Sequence, residues 1–370
     1  MRSAGRGGLW IAGALVVACS ASSAPLRDLG AGAGVRIGAA VQPALLAADP
    51  DQLATFVREF DSLTAENAMK WGPLSSAPGV YDFSEADELV DLAEANGMRV
   101  RGHTLVWEVQ LPAYVANAPD AETLRGHVED HIATVMGHYK GRVEQWDVVN
   151  EPLFSVGPGL DPNVFFRLLG PDYIADAFHL AHAADPDAIL FLNEVLLEDQ
   201  GARFDAFFDL VQSLLAQDVP VHGVGLQTHI VAGDFDPDAF EANLRALAGL
   251  GVQIEITELD VSLRPLFGPR RTLEEQAEIY GRVASACAAV PLCTGITTWG
   301  VDDGHTWLDR NEPFAPNAPH DPLLFDRGYA PKPAYDAFAA SLPEPSTAVL
   351  LAAGLTGLAA RRRASVTGRA

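Results

Sequence analysis

Along the chain, short runs of apolar and β-branched residues alternate with longer stretches in which apolar residues recur every three or four positions. The short runs are Val35 to Val41, Asp61 to Glu66, Arg99 to Val106, Val143 to Asn150, Ala188 to Asn193, Gly223 to His229, Gln253 to Leu259 and Gly295 to Val301. They have the length and composition of buried strands. The longer stretches predict helices near 50–60, 84–97, 122–139, 172–184, 202–216, 237–249, 273–289 and 333–340. In the second of these, Ser84 is a natural N-cap, Ala86, Leu89, Val90 and Ala93 follow at helical spacing, and Gly97 ends the element. Strand and helix in alternation predict parallel β/α architecture, either a closed barrel or a doubly wound sheet. Eight strands are what a closed barrel needs, and no Gly-rich phosphate fingerprint follows the first strand. A single (β/α)8 TIM barrel in the α/β class is the expected fold. No linker, charge block or repeat marks a second domain within it.

In such a barrel the active site lies where the strands end. Six of the expected strands carry polar or aromatic residues there: Glu66 and Asn67 with Lys70 and Trp71, His103 and Trp107, Asn150 and Glu151, Gln227 and His229, Glu258 and Asp260, and Trp299. Residues two apart on a strand share a face, so Gln227 with His229, Glu258 with Asp260, and His103 with Trp107 are each in phase. Asn150 and Glu151 are adjacent, and Pro152 biases Glu151 toward an extended conformation that would let both reach the cavity. Glu151 and Glu258, on opposite sides of a barrel mouth, form the carboxyl pair that glycoside hydrolysis needs, one to protonate the leaving oxygen and one to attack the anomeric carbon. Two solvated strand-end glutamates fit the same pattern, and an acidic protein supplies those readily.

The residues around the pair favour the catalytic reading. Thr64-Ala65-Glu66-Asn67-Ala68-Met69-Lys70-Trp71, Gly102-His103-Thr104-Leu105-Val106-Trp107, Trp146-Asp147-Val148-Val149-Asn150-Glu151, Gly225-Leu226-Gln227-Thr228-His229, Ile256-Thr257-Glu258-Leu259-Asp260 and Thr298-Trp299-Gly300-Val301-Asp302-Asp303 resemble, in order and spacing, the motifs of family 10 glycoside hydrolases, the barrel endo-β-1,4-xylanases. The resemblance spans about residues 35 to 340. It implies a retaining β-glycanase with Glu151 as acid/base, Glu258 as nucleophile, Asn150 on the sugar 2-hydroxyl, His229 as partner of Glu258, and Asp260 orienting His229. It also implies that Glu66, Asn67, Lys70, His103, Trp107, Gln110 and Gln227 line the glycone side, with Trp299 and Trp307 as platforms for sugar rings. Core packing is the alternative for the tryptophans. Xylan is the implied substrate, a cellulase or mannanase and a non-catalytic carbohydrate-binding surface protein are the alternatives, and neither metal nor organic cofactor is implied. Three positions depart from the family. Glu108 stands where it usually has His, Tyr114 where it often has Trp, and Asn193-Glu194-Val195-Leu196 lacks the full Asn-Asp-Tyr-Asn signature.

Both ends read as targeting sequence, leaving residues 25–341 for the barrel. Residues 1–24 carry Arg2 and Arg6, an apolar run from Leu9 to Ala18 and a small-residue stretch, the order of an export signal. Val16-Val17-Ala18-Cys19 also resembles a lipobox, with lipid anchoring at Cys19 as a lesser alternative. In residues 342–370, Pro343-Glu344-Pro345 precedes an apolar run and Arg361-Arg362-Arg363, which resembles the PEP-CTERM sorting signal of Gram-negative bacteria. Its apolar run is shorter than the roughly 20 residues that span a bilayer, so membrane association is expected to be transient. The chain has a net charge of −24 despite these basic ends, which disfavours nucleic acid and anionic lipid as partners. A monomer acting on a neutral polymer is expected. Cys287 and Cys293 are either a short-range disulfide, in keeping with an oxidising compartment, or two buried thiols.

Overall fold

The computed structural model describes residues 24–343, apart from 155, 156, 158, 312, 313, 315 and 317. The export leader and the sorting segment therefore lie outside the described residues, save for Ala24, Leu342 and Pro343. Eight parallel strands form the centre: β1 (Arg36–Val41), β2 (Ser62–Ala65), β3 (Arg99–Val106), β4 (Gln145–Asn150), β5 (Ile189–Glu194), β6 (Gly223–Leu226), β7 (Gln253–Val261) and β8 (Cys293–Thr298). Each pairs with the next, and β8 pairs with β1 as well as β7, so the sheet closes on itself. Closure removes both sheet edges.

A helix follows each strand: α1 (Pro50–Glu59), α2 (Ser84–Ala95), α3 (Ala121–Tyr139), α4 (Tyr173–Ala184), α5 (Ala202–Ala216), α6 (Pro237–Ala248), α7 (Leu273–Ala288) and α8 (Pro333–Ser341). The result is a (β/α)8 barrel. In α2 the residues buried against the sheet are Ala86, Leu89, Val90 and Ala93, the stripe legible in the sequence. Its cap differs from expectation. Ser84 is the first helical residue, and its N–H and hydroxyl both donate to Asp82 Oδ1, at 3.0 and 2.6 Å. Asp82 is the better acceptor because its charge also favours the positive helix end. A disulfide joins Cys287 of α7 to Cys293 at the start of β8.

Two strand ends depart from regular geometry, and both concern the site. β6 stops at Leu226, Thr228 adopts a left-handed conformation (φ 60°), and a short strand resumes at His229–Ile230 against Asp260 and Val261. Gln227 and His229 thus reach the barrel mouth from two sides of a turn, not from one face of a continuous strand. Glu151 is likewise left-handed (φ 53°), not extended. Its N–H donates to the Asn193 carbonyl of β5 at 2.9 Å, which holds the turn and overrides the bias from Pro152.

Candidate active site

Charged residues fill the barrel below the mouth, and their pairing fixes the floor of the site. Arg101 of β3 is wholly buried between Asp147 of β4 and Glu255 of β7, donating at 3.0 Å from Nε to Asp147 and at 2.9 Å from Nη1 to Glu255. Burial opposes the charge on each, but the pairing outweighs it, raising Arg101 above and holding Asp147 below their ordinary ranges. The Asp147 oxygen that accepts from Arg101 Nε also meets His103 Nδ1, at 2.9 Å. That contact sets the ring's orientation in the cleft.

Above this layer a chain of amides links the two glutamates. Gln227 Nε2 donates to Glu151 Oε1 at 2.8 Å, and Asn150 Nδ2 lies 3.3 Å from the same oxygen. Asn193 Nδ2 donates both to Asn150 Oδ1 and to Glu258 Oε1, each at 2.8 Å, while Thr257 Oγ1 donates to Asn193 Oδ1 at 2.8 Å. Gly225 on β6 leaves the space that Asn193 occupies, since a Cβ there would collide with the amide oxygen.

The two carboxylates differ in their partners. Glu258 is buried, with His229 Nε2 at 3.3 Å from Oε2. Nδ1 of the same ring lies 3.0 Å from Asp260 Oδ2, out of line for a straight hydrogen bond, so charge attraction dominates that contact. Trp307 Nε1 donates to the same Asp260 oxygen at 2.7 Å. Burial disfavours an imidazolium, but Asp260 and Glu258 outweigh it and push His229 up to about 10. Burial likewise works against charge on Glu258, and the His229 hydrogen bond with the nearby His103 and His229 rings overcomes it, holding this carboxyl below its usual range. Glu151 is half-buried, and among the described residues its hydrogen-bond donors are neutral amides.

A cleft of about 560 Å³ opens over these groups. Glu66, Asn67, Lys70, His103, Trp107, Gln110, Asn150, Glu151, Gln227, His229, Glu258, Trp299 and Trp307 all line it, while Asp260 lies behind His229. Lys70 Nζ and Gln110 Nε2 both donate to Asn67 Oδ1 at 3.1 Å, and the Lys70 ammonium sits 4.8 Å from the Trp107 ring centre. Burial lowers Lys70 from its ordinary range, and Glu258, Glu66 and Glu151 pull it back. The Trp107 indole N–H is buried with no partner among the described residues. Trp299 meets the His103 and His229 rings edge-on, at 5.3 and 6.0 Å.

The sequence reading missed Asn193, Val109, Val195 and Asn311, which also contribute to this cleft or its floor. For Asn193 a signal existed, because it opens the one strand motif that departs from the family pattern. Glu108, another of the three departures, stands on the exposed rim, its carboxyl raised by partial burial and by Asp161 and Glu151, with Arg167 pulling it down. Among the described residues no cluster of His, Cys, Asp and Glu fits a metal ion, and no helix is long and apolar enough to cross a membrane.

Known proteins agree with this architecture. The glycosyl hydrolase family 10 model matches residues 25–341. A beta-1,4-xylanase of Dictyoglomus thermophilum is 41% identical over 295 residues, covering 75% of this chain and 81% of its own. An endo-1,4-beta-xylanase of Agaricus bisporus is 38% identical over 278 residues, with the same two coverages, 75% and 81%. The crystal structure of xylanase 10B from Thermotoga petrophila RKU-1 in complex with xylobiose superposes with a TM-score of 0.81 at 37% identity, covering 87% of this chain and 98% of that one. Barrel, cleft and relatives converge, and the chain belongs to glycosyl hydrolase family 10.

Proposed function

We propose that the protein is a retaining endo-β-1,4-xylanase in which Glu258 is the nucleophile and Glu151 the acid/base. The observation that carries the assignment is the asymmetry of their partners. Glu258 has an imidazolium on one oxygen and an amide on the other, which suits a carboxylate that must be ionised before it attacks. Among the described residues Glu151 has amide donors on one oxygen, Oε1, and no hydrogen bond on the other, which leaves an oxygen to carry the proton for the leaving group.

In the first step Glu258 attacks the anomeric carbon while Glu151 protonates the departing glycosidic oxygen, and the bond to the leaving sugar breaks. Glu151, now ionised, takes a proton from water, the water oxygen attacks the anomeric carbon, and Glu258 is released. Asn150 binds the 2-hydroxyl, where contact tightens as oxocarbenium character develops. The family relatives named xylanases, and the neighbour solved with xylobiose, support xylan as the polymer.

Glu258→Ala is expected to lower kcat on xylan by on the order of 10⁴-fold or more. Near-normal turnover in that variant removes the nucleophile assignment. Glu151→Gln is expected to release an activated aryl leaving group far better than it cleaves xylan, because only the latter needs the proton, and equal losses on both count against an acid. Faster hydrolysis of carboxymethyl cellulose than of xylan by the native protein overturns the substrate.

The protein acts as a monomer outside the cytoplasm, exported by residues 1–24 and held briefly at the membrane by residues 342–370. The sequence order at each end supports this, and lipidation at Cys19 is the alternative to plain cleavage. Mass spectrometry of the mature termini distinguishes them.

A further inference from the structure

One largely buried charge pair beside the cleft, Glu194 with the partly exposed Arg203, has no part in the reaction as proposed. Glu194, the last residue of β5, is fully buried. One carboxylate oxygen accepts from the Leu153 N–H at 3.0 Å; the other accepts from the Val195 N–H at 2.8 Å and from Arg203 of α5 at 2.7 Å. Arg203 turns its remaining donors on two carbonyls, Val195 at 2.9 Å and Phe154 at 2.8 Å. Burial pushes the Glu194 carboxyl up, and the guanidinium pulls it back. Such pairs are poor stabilisers compared with apolar residues of similar size, so their presence invites a reason other than stability.

The surrounding backbone supplies that reason. Glu151 and Leu196 are both left-handed, with φ of 53° and 59°. Residues with a Cβ hold that conformation only where neighbouring structure fixes it. Of the pair's five hydrogen bonds, two reach Leu153 and Phe154, which follow Glu151-Pro152 directly, two reach Val195, which precedes Leu196, and the fifth joins the two side chains. From the β5 side, the Asn193 carbonyl, one residue before Glu194, accepts the Glu151 N–H. Each turn is thereby tied to the other through one carboxylate and one guanidinium.

We propose that Glu194 and Arg203 are positioning residues that clamp the turn carrying Glu151, so that its carboxyl stays beside Gln227 and faces the cleft. The clamp rests on the reading of Glu151 as acid/base. It acts on where that carboxyl stands, and Glu194 and Arg203 touch no substrate.

Azide tests it, because azide attacks the glycosyl–enzyme ester without needing a base. The anomeric carbon gains a bond to nitrogen, its bond to Glu258 breaks, and the carboxylate is freed as β-xylobiosyl azide forms. The full chain is compared with Glu194→Gln, Arg203→Lys and Glu151→Ala on xylan and on 2,4-dinitrophenyl β-xylobioside, with and without azide, and Tm is measured for each. Arg203→Lys keeps the charge and loses the fork, so it serves if Glu194→Gln does not fold. Both clamp variants are expected to lose about 10- to 100-fold in kcat on xylan with KM little changed. Azide is expected to raise their aryl xylobioside turnover several-fold and yield the glycosyl azide, as in Glu151→Ala. Rescue of Glu151→Ala without rescue of the folded clamp variants overturns the clamp alone, as does unchanged xylan turnover in them. No rescue of Glu151→Ala removes the acid/base reading, and the clamp with it.

Discussion

The two walls of the cleft are built on opposite principles. On one, Glu66, Asn67, Lys70 and Gln110 present polar groups already tied to one another, His103 is held from below by Asp147, and Arg310 reaches to within 3.7 Å of Glu66. On the other, Val109 and Val195 line the cleft, with Phe154 and Leu196 exposed nearby on the loops after β4 and β5. A wall of preset donors and acceptors recognises hydroxyls at defined positions, since a wrong sugar leaves buried groups unpaired. An apolar wall offers area without direction, and it tolerates variation in what lies against it. Glu66 to Trp71 on the polar wall match the family motif, whereas Val195 and the neighbouring Leu196 on the other side depart from it.

Lys70 provides the largest test of this contrast. Its ammonium is attracted by Glu258, Glu66 and Glu151, and Lys70→Met removes that charge together with a donor at the cleft. We expect kcat/KM on xylan to fall about 100-fold, whereas Leu196→Ala on the other wall costs less than about threefold. Comparable losses in steady-state kinetics would erase the distinction between the walls.

A smaller effect, read as stability, comes from the floor that both walls share. His229 is raised to about 10 by Asp260 and Glu258 acting against burial. A group raised in the folded state contributes its stability fully below its unfolded pKa, about 6.5, and loses it as pH climbs through the folded value. The Tm of the native protein should therefore fall between about pH 6.5 and 10. In Asp260→Asn the main source of the raise is gone, and calorimetry should find that slope flattened. An equally steep decline in the variant would show that the imidazolium is not held by Asp260.

How much of this was legible depended on whether a residue's role follows from its own strand or from its neighbours. The barrel, the α2 stripe and the paired positions Glu258 and Asp260 follow from periodicity along single elements. Asn193 and Glu194 matter because β5 lies between β4 and β6, which turns two ordinary polar side chains into bridges to Asn150, Glu258 and Leu153. Arg101, Asp147 and Glu255 come from three strands, and nothing within any one strand names the partner across the barrel. The left-handed turns at Glu151 and Thr228 were also hidden. Neither residue is glycine or asparagine, and tertiary hydrogen bonds, not local preference, hold Glu151 there.

The smallest expected effect bears on the apolar wall alone. Val195→Tyr restores the aromatic residue that the family usually carries at this position, adding a ring face and a hydroxyl where valine offers neither. Aromatic contact of this kind contributes about 0.5 to 1.5 kcal/mol, which corresponds to roughly 2- to 10-fold in affinity. Val195 shares the cleft with Glu151, the proposed proton donor to the leaving sugar, so the gain should appear with leaving groups of several sugars. We expect kcat/KM to rise on xylohexaose and to stay unchanged on an aryl xylobioside, whose sugars occupy the polar wall. A rise on both substrates would mean that Val195 also governs the glycone side, and no rise on either would mean that leaving-group sugars pass clear of the apolar wall. In both cases the division of the cleft into a directional and a permissive half would have to be redrawn, starting at Glu108, the rim residue between Trp107 and Val109.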